Sequence, residues 1–347
     1  MHRLLLLLRL VLVGFAVAAT AAQAQTSKQA ASRASASAPQ RDAASLLRMA
    51  RTAAQRLNYA GTFVYQQGSQ VRSSRITHVF DGRNELEKLE VLDGVPREYL
   101  RTNDEIVAYL PQSRTLRMEK RVTQDVFPAI IGATPAELAG NYEISSGTSE
   151  RIAGFEADAV RLQPKDRLRY GYALWTERAT GLLLRVQTLS ENGDVIEQIT
   201  FTQLDFGRID RSRVKPSFAD TRGWRVENVV IKGADLAGWS VRGLPPGFRK
   251  VREIRRLVSE RSKSASAEGT AAGSTREVSQ IVFSDGLAAI SVFIEPLTPG
   301  RTEGFVRQGA MQIVGKRQGE FWLTIVGEVP SEAIRQVAAS IEFKFSR

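Results

Sequence analysis

Nucleophilic and metal chemistry usually draw on histidine or cysteine, and this chain offers almost none. It has no cysteine and two histidines, His2 and His78. No Gly-x-Ser-x-Gly elbow is present, and a Ser-His-Asp triad would have to use His78. Any metal site would be built from carboxylates alone, and no Asp-x-Asp-x-Asp-Gly loop occurs. Gly-x-Gly-x-x-Gly and Walker-type phosphate loops are absent too. Thirty-seven Asp and Glu offer chance acid pairs, so lysozyme-like hydrolysis stays open as an alternative. His78 falls on an expected strand, on one face with Ile76 and Phe80. A lone histidine there reads as structural. No catalytic residue, metal ligand or cofactor-binding residue is assigned.

Two groups of residues suit binding instead. The first is apolar: Phe63, Tyr65, Phe80, Tyr109, Met118, Phe127, Ile130, Tyr172 and Trp175. Most lie on expected strands of one large sheet, where they either form its core or line a cavity for an acyl lipid. The second is cationic: Arg249, Lys250, Arg252, Arg255 and Arg256 on one strand, joined by Arg307. These residues form either a partner-binding face or a solvated edge that blocks strand pairing.

The elements that must position them are mostly strands. Asp42 caps a helix running to about Leu57, with Leu46, Leu47, Ala50, Ala53, Ala54 and Leu57 on one face. From Thr62 to Phe206 short strands alternate with turns such as Asp81-Gly82, Asp93-Gly94 and Asn192-Gly193. The clearest hairpin runs from Gln163 to Leu189. Tyr170, Tyr172 and Leu174 alternate on one arm, and Leu182, Leu184 and Val186 on the other. Thr134-Pro135-Ala136-Glu137 opens a short helix. The pattern breaks down over residues 210–238, read as a linker between a large domain (42–209) and a small one (239–347). The small domain is expected to hold about four strands and a helix from Pro330 to Ile341. Ser259 to Ser274 reads as a disordered loop.

Residues 1–24 read as a signal peptide, with Arg3 before an apolar core and cleavage after Ala24 in Ala22-Gln23-Ala24. Residues 25–41 read as a disordered tether. The mature chain is then periplasmic, with about 320 residues, enough for two domains. Losing Arg3 and Arg9 lowers the formal charge of +11 by two, to +9. That excess favours acidic partners, and export argues against nucleic acid. Homo-oligomerisation stays open.

An ordered set of motifs runs through both domains: Leu57-Asn58-Tyr59-Ala60-Gly61-Thr62-Phe63-Val64-Tyr65, the hairpin Gln163–Leu189 continued by Asn192–Thr202, and Trp239 through Leu244-Pro245-Pro246-Gly247-Phe248. Val282-Phe283-Ser284-Asp285-Gly286-Leu287, Arg307-Gln308-Gly309 and Val326-Gly327-Glu328-Val329-Pro330 complete it. The set resembles the MucB/RseB family, with Phe in place of a Tyr in the Val282–Leu287 motif. The resemblance implies a mainly β (α+β) fold. Its N-terminal part is an unclosed antiparallel β-barrel like LolA and LolB, with a helical lid. A smaller antiparallel β domain with a C-terminal helix follows. It also implies a non-catalytic periplasmic regulator of an envelope-stress sigma factor. Such a protein binds the periplasmic region of an RseA/MucA-type anti-sigma factor and shields it from site-1 proteolysis. Lipid or lipopolysaccharide fragments loosen that complex. A periplasmic lipoprotein or lipid carrier is the alternative reading.

Overall fold

The structure is a computed structural model describing residues 42–120, 133–218, 220–234, 236, 238–260 and 274–344. The expected signal peptide and tether, Phe127, Ile130 and residues 261–273 of the expected loop lie outside the described residues.

Helix α1 (Ala43–Arg56) starts where its cap dictates: Asp42 Oδ1 accepts the Ser45 backbone N–H at 2.9 Å. Its buried stripe is Ala43, Leu46, Leu47, Ala50, Ala53 and Ala54. The chain then meanders through β1 (Tyr59–Gln67), β2 (Gln70–Phe80), β3 (Glu85–Val91), β4 (Arg97–Thr102), β5 (Glu105–Leu110) and β6 (Thr115–Lys120). Each is antiparallel to the last. Helix α2 (Pro135–Asn141) opens with a complete capping box between Thr134 and Glu137. Next come β7 (Tyr142–Ser146), β8 (Glu150–Ile152), β9 (Phe155–Pro164), β10 (Gly171–Glu177), β11 (Leu183–Leu189) and β12 (Val195–Phe206). Strand β12 returns to pair with β1. The strand order is therefore β7/β8–β9–β10–β11–β12–β1–β2–β3–β4–β5–β6. Among the described residues the two ends do not meet, so the barrel is unclosed.

The hairpin at β10 and β11 differs from simple alternation. Leu174 lies opposite Val186, but the register shifts between Trp175 and Thr176. Leu183 and Val186 pack in one core cluster, Leu182 and Leu184 in another. A bulge adds a residue to one strand and moves the side chains beyond it to the other face.

The expected linker is not structureless. Strand β13 (Arg225–Gly233) runs parallel to β6 from Arg225 to Val229, then antiparallel to β15 (Arg249–Glu260) from Val230 to Gly233. Along it Val226 and Asn228 are exposed while Arg225 and Glu227 are half-buried and pair with each other. The small domain adds β14 (Trp239–Val241), β16 (Ser274–Ser284), β17 (Ala289–Pro296), β18 (Gly304–Gln308), β19 (Met311–Gln318), β20 (Phe321–Gly327), α3 (Ser331–Ala339) and β21 (Ile341–Phe343). Its sheet runs β13–β15–β16–β17–β20–β19–β18, with β14 and β21 forming a separate pair. This exceeds the four strands expected. The ends of the expected disordered loop are strand: Ser259 pairs with Thr275 and Glu260 with Ser274. Ile334, Val337 and Ala338 of α3 pack on Ile281, Ile290, Val292, Leu323 and Ile325.

Candidate functional site

Cross-strand register sorts the barrel side chains onto two faces. Ile76, Leu89, Tyr99, Ala108 and Arg117 form one row, and His78, Glu87, Arg101, Ile106 and Glu119 the next row on the same face. Tyr59 lies opposite His78 and packs with Phe63, Ile76 and Ala53 of α1. This is therefore the face that carries the helix.

Helix α1 covers only part of it. Leu46, Leu47 and Ala50 pack on Val160, Leu162, Tyr172 and Leu174. Over β4 to β6 no described helix packs on this face, and a half-open groove of about 580 Å³ opens there. Val95, Tyr99, Ile106, Ala108 and Leu110 line it, together with Arg97, Arg117 and Glu119. An apolar wall with a few charges suits one acyl chain attached to a polar head.

Farther along the face lies a buried polar cluster. The His78 ring is enclosed, with Nδ1 2.9 Å from the Leu57 carbonyl and Nε2 3.1 Å from Glu85 Oε1. It thereby ties the end of α1 to β3. Arg101 pairs with Glu85 and, at 3.3 Å, with Glu87. Burial acts to raise the Glu85 carboxyl, but hydrogen bonds from His78 and Arg101 outweigh it and hold it below its ordinary value. Burial pushes Glu87 up.

The described members of the expected lipid-binding set are not brought together. Phe63, Tyr172 and Trp175 are buried in the core beneath and beside α1. The Tyr65 hydroxyl donates to Glu197 Oε2 at 2.9 Å and accepts from Gln67 Nε2 at 2.8 Å. Phe80 is half-buried at the end of β2. Tyr109 and Met118 lie on the opposite face from the groove. Tyr109 stacks on Phe218 at 6.1 Å and meets Trp224 edge-on at 6.5 Å. Selecting aromatic residues for size picks the convex side of β5. The groove belongs to the alternate set, Ile106, Ala108 and Leu110, which period-2 reading of the same strand contains.

A second, closed site joins the domains. The Arg169 side chain is fully buried, as is that of Asp285 in the β16–β17 turn, and Arg169 Nη1 donates to Asp285 Oδ2 at 2.6 Å. Arg169 also donates to Asp166 and to the Pro246 carbonyl, and Tyr142 donates to Asp285 at 3.1 Å. Burial pushes the Tyr142 phenol up. The turns that dock here require glycine. Gly247 has φ +79° and Gly286 φ +100°, and an added Cβ would lie 2.2 Å from Asn141 and Ala133 respectively. Both glycines belong to motifs that carry the family resemblance.

The basic strand is largely neutralised. Arg249 pairs with Glu137 at 2.9 Å, Lys250 with Glu253 at 2.9 Å, Arg255 with Glu277 at 3.5 Å and Arg256 with Glu119 at 3.1 Å. Arg252 has no ion pair among the described residues. Arg307 does not join this group: it sits on β18, separated from β15 by β16, β17, β20 and β19. The single cationic face expected from sequence is therefore corrected to two separate places. Non-local ordering of strands, invisible in the sequence, separates them.

Fold and site together define a two-part β protein with a buried polar contact between its parts and an open apolar groove on the larger one. The chain belongs to the MucB/RseB family: residues 42–218 match the MucB/RseB N-terminal domain and residues 233–342 the C-terminal domain. It is similar to the sigma factor AlgU regulatory protein MucB of Pseudomonas aeruginosa, 29% identical over 295 residues, covering 82% of this chain and 85% of that protein. It is also similar to the sigma-E factor regulatory protein RseB of Escherichia coli K12, 26% identical over 298 residues, covering 86% and 90%. A crystal structure of MucB in complex with MucA(peri) superposes with a TM-score of 0.65 at 27% identity, covering 88% of this chain and 100% of that one.

Proposed function

We propose that this chain is a non-catalytic periplasmic regulator that holds the periplasmic region of a membrane anti-sigma factor. In doing so it shields that region from the first protease and restrains the envelope-stress sigma factor. The observation that carries this reading is the family match across both domains. The relative crystallised with MucA(peri) supports the partner class.

The groove over β4 to β6 supports the regulatory half. A fatty-acyl chain buried against Tyr99, Ile106, Ala108 and Leu110 gains about 0.8 kcal/mol per methylene. A lipid or lipopolysaccharide fragment there favours a conformation that grips the peptide poorly, so each ligand lowers the other's affinity by one common factor. The test is a titration of the purified chain with a MucA/RseA-type periplasmic segment, with and without a fluorescent acyl probe. Saturable binding, site-1 protease protection and reciprocal weakening are expected. Failure to bind the segment, or recovery of lipoprotein in its place from periplasmic extract, overturns the reading in favour of a carrier.

A further inference from the structure

Strand β18 ends the small sheet. It pairs with β19 from Gly304 opposite Gly315 to Gln308 opposite Met311, and no described strand pairs with its other edge. All five of its residues are exposed, Phe305 by 37% and Val306 by 58%. An open edge presents a row of unpaired N–H and C=O groups, which proteins ordinarily blunt with lysine, proline, a bulge or a cover. Strand β18 contains no lysine and no proline, and its register with β19 is unbroken.

Two arginines stand beside this edge, and Glu303, just before the strand, is turned back to accept the Arg317 backbone N–H of β19 at 2.6 Å. Arg307 lies in the strand, and the Arg335 guanidinium of α3 sits 4.6 Å from the centre of the Phe305 ring. Neither arginine makes an ion pair among the described residues. Arg307 also borders a cleft of about 200 Å³ at the domain junction, with Arg167, Tyr170, Ile196 and Pro330. A side chain bound beside Arg307 has that cleft to enter.

We propose that β18 receives an extended acidic segment of a partner polypeptide by strand addition. Backbone pairing supplies the affinity, Phe305 and Val306 supply apolar contact on opposite faces, and Arg307 with Arg335 selects acidic side chains. This rests on the regulatory reading and deepens it by placing part of the anti-sigma segment on this edge. A second copy of the chain is a poorer occupant. Antiparallel self-pairing centred on Val306 sets Arg307 of each copy opposite Phe305 of the other, next to the Arg335 that covers it, and like charges meet.

The experiment uses the full chain and the periplasmic segment of a MucA/RseA-type anti-sigma factor. Successive residues of a strand point their N–H groups to opposite edges. One of Phe305→Pro and Val306→Pro therefore removes only an outward donor and leaves the β19 ladder intact. That variant, recognised by an unchanged unfolding midpoint, should bind about tenfold more weakly, as should Arg307→Glu. In the wild-type complex, hydrogen exchange should slow at alternate amides of residues 304–308. If the wild type binds but these amides stay unprotected, or folded variants keep their affinity, the edge proposal fails and the regulatory reading stands. If the wild type does not bind, both fail. A wild-type dimer dispersed by Arg307→Glu would assign the edge to a second copy and overturn the proposal. If both proline variants unfold, exchange and Arg307→Glu decide.

Discussion

Over β9 to β11 the concave face of the barrel carries α1, and Leu46 is fully buried against Val160, Leu162 and Leu174. Over β4 to β6 no described helix packs on the same face, and support comes from behind. The segment after β12 crosses the convex side: Lys88 Nζ donates to Ser217 Oγ at 2.7 Å, and the Ser217 backbone N–H donates to Glu98 at 2.9 Å. Tyr109, Phe218 and Trp224 then pack as an aromatic group on that side. A surface kept free for a ligand cannot be stabilised by packing on its free side, so the sheet is braced from its back. Tyr109, expected from sequence to touch a ligand, is part of that brace.

The largest expected effect belongs to the filled half. Leu46→Ala removes a fully enclosed side chain and should lower unfolding free energy by about 3 kcal/mol. Urea denaturation reads this directly. Acyl-probe affinity in the folded protein should stay close to wild type, since the groove lies beyond α1. An equal loss of probe binding would merge the two halves into one unit.

The open half should answer in the opposite way. Ala108→Trp projects into the groove and should weaken acyl-probe binding at least about tenfold, with stability within about 1 kcal/mol of wild type. Tight probe binding by this variant would move the acyl site elsewhere. Trp224→Ala should sit between these cases. It takes a half-buried ring from the brace and should cost about 1 kcal/mol, while also weakening the probe as β5 loses its backing.

Much of the first half was legible in the sequence. Asp42 as a cap, the α1 stripe and the Thr134–Glu137 capping box are local signals, complete within a few residues. The placement of Tyr109 and Met118 was not legible. Strands β5 and β6 are partly covered on both faces, so alternation is blurred, and size alone does not say which side is hollow. Strand β13 escaped because its partners, β6 and β15, lie on either side of it in the chain and pair in opposite senses. The separation of Arg307 from Arg249–Arg256 follows from strand order, which no local pattern encodes. The Arg169–Asp285 bridge escaped for the same reason: each residue is an ordinary turn charge until the fold brings them together.

The smallest effect concerns one end of the brace and depends on pH. Asp81, in the turn after β2, accepts the backbone N–H groups of Asn84 and Arg83 at 2.8 and 3.0 Å. Arg211 of the crossing segment adds a contact at 2.9 Å. These hydrogen bonds, the Asn84 one foremost, hold its pKa at about 2 against an ordinary 3.8. A carboxyl whose folded pKa lies below its unfolded value stabilises the fold above the unfolded value. That contribution should fade as pH falls from about 4 through about 2. Asp81→Asn keeps an acceptor for the turn but removes the charge facing Arg211. At neutral pH the variant should be slightly less stable than wild type, and the gap should close as the medium is acidified across that window. Other carboxylates titrate there too, but they are common to both proteins and cancel in the difference. Thermal unfolding of the pair at pH 6, 4, 3 and 2 makes the comparison. A gap that stays constant down to pH 2 would mean that Arg211 gains nothing from the Asp81 charge. The brace would then rest on Lys88, Ser217 and the aromatic group alone.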